Sequence, residues 1–300
     1  MNYTIKNPEF VKRMVVDSEN LFVLRKKFFQ DETLSETEIA EVIATTPYHP
    51  QINWGPERIS MLPWTGLEHL HACIIDTVQK NIPGDFVETG AWRGGACILA
   101  KSIYESLGSQ KKIFVVDSFE GLPPPDTEKY PNDKNDTHYL DLNMKASLET
   151  VQENFKKFGL LDDSVVFIKG WFKDTLPTAP IEKISILRLD GDMYESTIEP
   201  LETLYAKLSV GGYCIIDDYY HPACRQAIHD FRFANHITES IKKIDDDPLK
   251  EIHYWIKENK TVVIPTTYPQ KGILHSLSYG MNTLAYIFEK GFCKIKKVFK

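Results

Sequence analysis

A chain of 300 residues, 42% hydrophobic and 26% charged, has enough apolar material for one large α/β domain with appendages. Its net charge of -7 argues against a broad nucleic-acid-binding face. No run approaches the ~20 apolar residues that span a bilayer. The N-terminus "MNYTIKNPEFVKRM" has no apolar signal core, and five scattered cysteines (Cys73, Cys97, Cys214, Cys224, Cys293) lack CxxC spacing. The expected compartment is the cytoplasm, with reduced thiols.

In chain order, residues 1–60 read as a polar, helical lead-in. "SETEIAEVIATT" opens with a capping box of Ser35 and Glu38, followed by helical apolar spacing. Pro47, Pro50, Pro56 and Pro63 break up the next stretch, and "WTGLEHLHACIIDTVQK" from Trp64 is helical again. Strands are then expected at 85–89, 112–118, 164–170, 184–190 and 212–218. Helices are expected at 94–106, 145–159, 196–208 and 222–235. Val/Ile/Phe-rich strands alternating with amphipathic helices predict a mostly parallel sheet covered on both faces. Such sheets bind ligands at the carboxyl ends of their strands. The Pro- and Asp-rich insertion 118–144 has no periodicity and is expected to be a lid. Residues 259–300 form a basic extension: seven lysines and one acid, Glu289, lie between 260 and 300. That segment, with a helix expected in "SLSYGMNTLAYIFEKGF", is expected to pack on the domain. Contact with an acidic partner or a membrane surface is the alternative.

All five strand ends carry candidate chemistry. "VETGAWRGG" sets Glu88, Gly90, Gly94 and Gly95 at a strand-to-helix turn, an ExGxxxG pattern rather than GxGxxG. A carboxylate there repels a pyrophosphate but suits an ammonium group, such as that of S-adenosylmethionine. Tight helix packing is the plainer role for the glycines. Asp117 at the next strand end can accept ribose hydroxyls, or simply cap a loop. Trp171 and Phe172 after the third strand can stack on adenine or fill core.

The fourth and fifth strands end in "LRLDGDMYE" and "CIIDDYY". Asp192 and Glu195 have capping-box spacing, and Asp218 can cap the helix near Pro222. Asp190 and Asp217 resist that reading. If the two strands are neighbours, three or four carboxylates converge, and a divalent cation relieves their repulsion. Without a nearby His/Cys set, Mg²⁺ or Ca²⁺ fits better than Zn²⁺.

Together "FVETGAWRGG", "VVDSFEGLPPPD", "KGWFKDTLP", "LRLDGDMYEST" and "GGYCIIDDY…PACRQAIHDFR" resemble the macrocin O-methyltransferase family over roughly residues 55–258. The resemblance implies a class I S-adenosylmethionine-dependent methyltransferase (Rossmann-like) fold with seven strands, the last antiparallel. It also implies S-adenosylmethionine, Mg²⁺ and a homodimer. It places metal ligands on Asp190, Asp217 and Asp218, a general base on Asp192, and cofactor contacts on Glu88 and Asp117 with Ser118 and Phe119 beside them. His138 in the lid is a further candidate. The implied organisation is a lead-in (1–60), a methyltransferase domain (61–258) and the basic tail.

The function expected is Mg²⁺-dependent methylation of a sugar hydroxyl on a glycan or small-molecule natural product. A catechol-type phenol acceptor is one alternative. A catalytically inactive binding protein, its acids merely capping helices, is another.

Overall fold

The computed structural model describes residues 4–16, 21–45, 58–244 and 251–259. Residues 260–300 of the basic tail, with its expected helix and Cys293, lie outside the described residues. Seven strands form one sheet: β1 (Asp85–Thr89), β2 (Ile113–Asp117), β3 (Val165–Lys169), β4 (Ile184–Leu189), β5 (Leu208–Ile216), β6 (Lys242–Lys243) and β7 (His253–Ile256). Their order is β3-β2-β1-β4-β5-β7-β6. The first five are parallel, whereas β7 runs antiparallel to both β5 and β6. This is the α/β class expected, with helices on the sheet: α1 (Pro8–Val15), α2 (Phe22–Phe29), α3 (Glu36–Ala44), α4 (Trp64–Gln79), α5 (Gly95–Ser106), α6 (Leu148–Lys157), α7 (Phe172–Thr175), α8 (Tyr194–Leu204) and α9 (Pro222–Ala234). Among the described residues, no helix is long and apolar enough to cross a membrane.

β4 is buried at every position, as a central parallel strand requires. It pairs with β1 on one side and β5 on the other, with Leu189 opposite both Thr89 and Ile216. The ladder continues one step further, because Asp190 N–H donates to the Thr89 carbonyl and Asp217 N–H to that of Leu189, each at 2.9 Å. Asp190 and Asp217 therefore leave the sheet side by side. Gly90 (φ 87°) passes so close that a Cβ there would strike the Asp190 carbonyl oxygen. That contact draws the ends of β1 and β4 together.

The lead-in shares the core of the sheet. Phe10, Val11, Met14 and Val15 of α1 are fully buried, and Phe10, Phe28 and Phe29 pack on Phe158 behind α6. Ser35 and Glu38 form the expected capping box on α3.

Several elements depart from expectation. The helix expected at 196–208 begins two residues earlier, at Tyr194, and ends at Leu204. Its N-terminus is capped from outside: the Asp133 carboxylate accepts the backbone N–H groups of Tyr194 (2.7 Å) and Glu195 (2.9 Å). The strand expected at 212–218 begins four residues earlier, where Gly211 (φ 84°) and a register shift against β4 let the chain bend without breaking the strand. Strands β6 and β7 have no sequence signature; pairing onto the β5 edge creates them. The insertion is folded, with short 3₁₀ turns at Pro131–Asp133, His138–Leu140 and Leu142–Met144.

Candidate active site

The carboxyl ends of β1, β2, β3 and β4 open into one cleft of about 980 Å³. Glu88, Gly90, Asp117, Ser118, Trp171, Phe172, Asp190, Asp192 and Asp218 all line it. The lead-in supplies part of the wall through Val16 and Arg58–Ser60, Met61–Pro63 just after it add more, and the insertion supplies Gly121–Pro124, Asp126, His138, Asp141 and Met144. Residues of the insertion therefore form part of the cleft wall. The insertion is tied down by Asp133 on α8, by Tyr130 donating to Glu199 (3.0 Å) and by the Trp92 indole donating to the Asn143 carbonyl (2.7 Å).

Asp190, Asp217 and Asp218 each offer one carboxylate oxygen within 4.8 Å of the others. Asp217 and Asp218 are buried, and Asp190 is half-buried. These are the two neighbouring strand ends that convergence required. The acids are not left to repel one another until an ion arrives, however, because the cluster already has a cationic partner. Arg188 of β4 is buried and binds Asp217 through Nη2, and Glu88 and Asp190 through Nη1; the Asp190 contact is 2.7 Å. One guanidinium thus bridges three carboxylates from three strands, the planar fork geometry that suits arginine. Burial disfavours its charge, but Asp217, Asp190 and Glu88 outweigh burial and hold it firmly protonated. The signal for Arg188 was present, since it is the one basic residue inside an otherwise apolar, buried strand.

Glu88 faces this cluster from β1. Its Oε2 accepts from the Cys97 thiol at 2.7 Å, and it is 1% exposed. Burial pushes its pKa up to about 7, against the opposing pull of Arg188 and Cys97. Glu88 forms the floor of the cleft rather than an open anionic surface.

Asp117 organises two loops. Its Oδ2 accepts the N–H groups of Ala91 (2.7 Å) and Trp92 (3.1 Å), and its Oδ1 that of Phe119 (2.8 Å). Burial raises its pKa, and these N–H groups oppose the rise. The Ser118 hydroxyl also donates to Oδ1 at 3.4 Å, so the loop-capping role is realised. Phe119, expected beside the cofactor, turns its side chain into the core and is not among the residues that line the cleft. Its ring is 5% exposed and packs 6.4 Å from Phe167 in the core, and only its backbone reaches Asp117. Trp92, Phe119 and Asp192 all adopt left-handed backbone (φ 47°, 57° and 60°). Such conformations cost about 1–3 kcal/mol each and cluster at functional sites.

Asp192 does not cap α8, whose N-cap is Met193 without a side-chain bond. Its backbone N–H donates to Asp218 Oδ2 at 3.0 Å, so the Asp218 carboxylate holds the turn rather than capping α9. The Asp192 carboxylate points toward His221, with Nε2 3.9 Å away. His138 of the insertion stacks edge-on against His221, ring centroids 4.8 Å apart. His221 and Arg188 were both missed in the sequence; His221 comes within 3.9 Å of Asp192 because α9 follows β5 so closely.

The family model for the macrocin-O-methyltransferase (TylF) family matches residues 14–255. The chain is similar to the mycinamicin III 3''-O-methyltransferase of Micromonospora griseorubida, 43% identical over 62% of this chain and 75% of that protein. It is also similar to the demethyldecarbamoylnovobiocin O-methyltransferase of Streptomyces niveus, 42% identical over 68% and 77%. The solved structure of the O-methyltransferase NovP superposes with a TM-score of 0.64 at 41% identity, covering 67% of this chain and 83% of that one. The calicheamicin methyltransferase CalS11 shares the fold at 16% identity and a TM-score of 0.54, covering 81% and 95%. The acid-ended parallel sheet, the glycine turn at Gly90 and the match across most of the chain coincide: the chain belongs to the macrocin O-methyltransferase family and is an S-adenosylmethionine-dependent O-methyltransferase of class I fold.

Proposed function

We propose that the enzyme methylates a hydroxyl of a sugar, carried on a natural product or glycan, with Mg²⁺ held by Asp190, Asp217 and Asp218. The observation that carries this reading is the convergence of those three carboxylates at adjacent strand ends. An all-oxygen donor set suits a hard cation such as Mg²⁺. The sugar acceptor rests on relatives: one acts on the 3'' position of mycinamicin III. Another, from Streptomyces olivaceus, 42% identical, is the 4'-O-methyltransferase of a dimethoxyrhamnosyl tetracenomycin.

When bound, the divalent ion supplies charge that favours the deprotonated form of the acceptor hydroxyl. The protein does the rest by position. The acceptor hydroxyl gives its proton to the Asp192 carboxylate, whose turn is fixed by the N–H bond to Asp218. The acceptor oxygen forms its bond to the methyl carbon as the carbon–sulfur bond breaks. The electron pair stays on sulfur, and S-adenosylhomocysteine leaves. Glu88 and the Gly90 turn serve the methionine end of the donor, Asp117 and Ser118 the ribose, and Trp171 and Phe172 the adenine. Arg188 holds Asp190 and Asp217 in register, so little reorganisation is needed at the moment of reaction. The family likeness also supports a homodimer, which sedimentation velocity would test.

Transfer of labelled methyl to glycosylated acceptors tests the reading. Asp217→Asn should abolish turnover in Mg²⁺ while S-adenosylhomocysteine still binds and the circular dichroism is unchanged. Undiminished turnover in EDTA would overturn the metal's part.

A further inference from the structure

We propose a second cation site, formed by His138, Asp192 and His221, that takes a d-block divalent ion such as Zn²⁺ and bridges the insertion to the catalytic face. One ligand atom from each residue lies within 4.8 Å of the other two. The donor set is two imidazoles and one carboxylate, which favours Zn²⁺, Co²⁺ or Ni²⁺ over Mg²⁺. It therefore differs in kind from the all-oxygen trio beside it.

Two features mark the three residues as a site rather than a chance meeting. First, the Nδ1 of His138 is bonded to Asp136 Oδ2 at 2.9 Å, which leaves Nε2 for a metal. A carboxylate holding the far nitrogen of a histidine is the usual support for a zinc ligand, fixing the ring and raising its basicity. Second, the field there favours a cation. The carboxylates of Asp136 and Asp192 both face the histidine pair, 2.9 Å from His138 and 3.9 Å from His221. The side chains of His138, His221 and Asp192 are 30%, 21% and 15% exposed, so an ion can enter and still be partly shielded from water. The His221 Nε2 to Asp192 Oδ1 distance of 3.9 Å must close to about 3.3 Å for two ligands of one tetrahedral zinc, a small side-chain rotation.

Binding at this site does not depend on the catalytic reading, but its consequence does. If Asp192 accepts the proton, an ion on its carboxylate blocks turnover, and the insertion is clamped to the strand ends. Zinc then acts as an inhibitor that excess Mg²⁺ does not displace.

The experiment is equilibrium dialysis of the full chain against Zn²⁺ in saturating Mg²⁺, repeated with Co²⁺ to read its d–d absorption. The expected result is one tightly bound ion in the wild type. His138→Ala and His221→Ala should each weaken it at least tenfold and change the Co²⁺ spectrum, Asp136→Asn should weaken it about 10–100-fold, and Asp217→Asn should leave it in place. Each variant is checked for S-adenosylhomocysteine binding to show that it is folded. Unaltered zinc affinity in the His138/His221 double variant overturns the site, as does its loss in Asp217→Asn, which would put the ion in the aspartate trio. Tight zinc binding through the histidines with undiminished turnover would instead keep the site and count against Asp192 as the proton acceptor.

Discussion

At the scale of single residues, the site is an exercise in placing like charges together. Glu88, Asp190 and Asp217 meet on Arg188, buried and held by bonds from three strands. Removing one partner of a buried ion pair typically costs about 3–5 kcal/mol, because the charges left behind keep their desolvation penalty. Arg188→Met should therefore lower the melting temperature strongly, and Mg²⁺ should raise it further in the variant than in the wild type, since the ion then becomes the main counter-charge. Equal shifts in the two proteins would mean that the guanidinium and the ion do not share these carboxylates. At Asp192, replacement by Asn keeps the shape and removes the proton acceptor. A loss of about 10²–10⁴ in kcat is expected, with S-adenosylhomocysteine affinity unchanged in calorimetry.

At the scale of elements, the insertion and α8 are one mechanical unit. Asp133, fully buried, satisfies two of the orphan N–H groups at the start of α8. Burial raises its pKa, and the two N–H groups oppose that. Asp133→Ala should destabilise the fold by about 1–2 kcal/mol in urea titration. Amide exchange should rise across both the first turn of α8 and residues 118–144. Faster exchange in α8 alone would show that the insertion is held by its other anchors. Local spacing offers Asp192, three positions before Glu195, as one candidate for this cap. The acid that caps the helix lies about sixty residues upstream, and no window of local pattern reaches that far. The two outer strands were illegible for a related reason: β6 pairs through only Lys242 and Lys243, so its existence is a property of the edge it joins.

At the scale of the whole molecule, the acidic lining of the cleft links stability to pH. Burial pushes the Glu195 pKa up to about 7, with Glu199 adding to the rise and Lys173 opposing it. Its Oε2 has no hydrogen-bond partner among the described residues. A carboxyl whose folded pKa is raised binds more protons in the native state than in the unfolded one between about pH 4.5 and 7. Its contribution to stability is thus neutral below that window and falls as pH rises through it. Glu195→Gln should gain in melting temperature over the wild type at pH 8 and little at pH 5; a gain independent of pH would assign the effect to packing. By itself the sequence determined the alternation of buried strands and amphipathic helices, and with it the parallel sheet and the strand ends where acids gather, because those follow from apolar periodicity and from the rule that such sheets bind at their carboxyl edge. It also carried the five motifs of the family. Only the tertiary structure decided which acids share a counter-ion, that Phe119 is core, that Asp133 caps α8, and that His138 and His221 meet at Asp192. Each of those is a contact between residues distant in the chain, fixed by strand order and register rather than by any local preference.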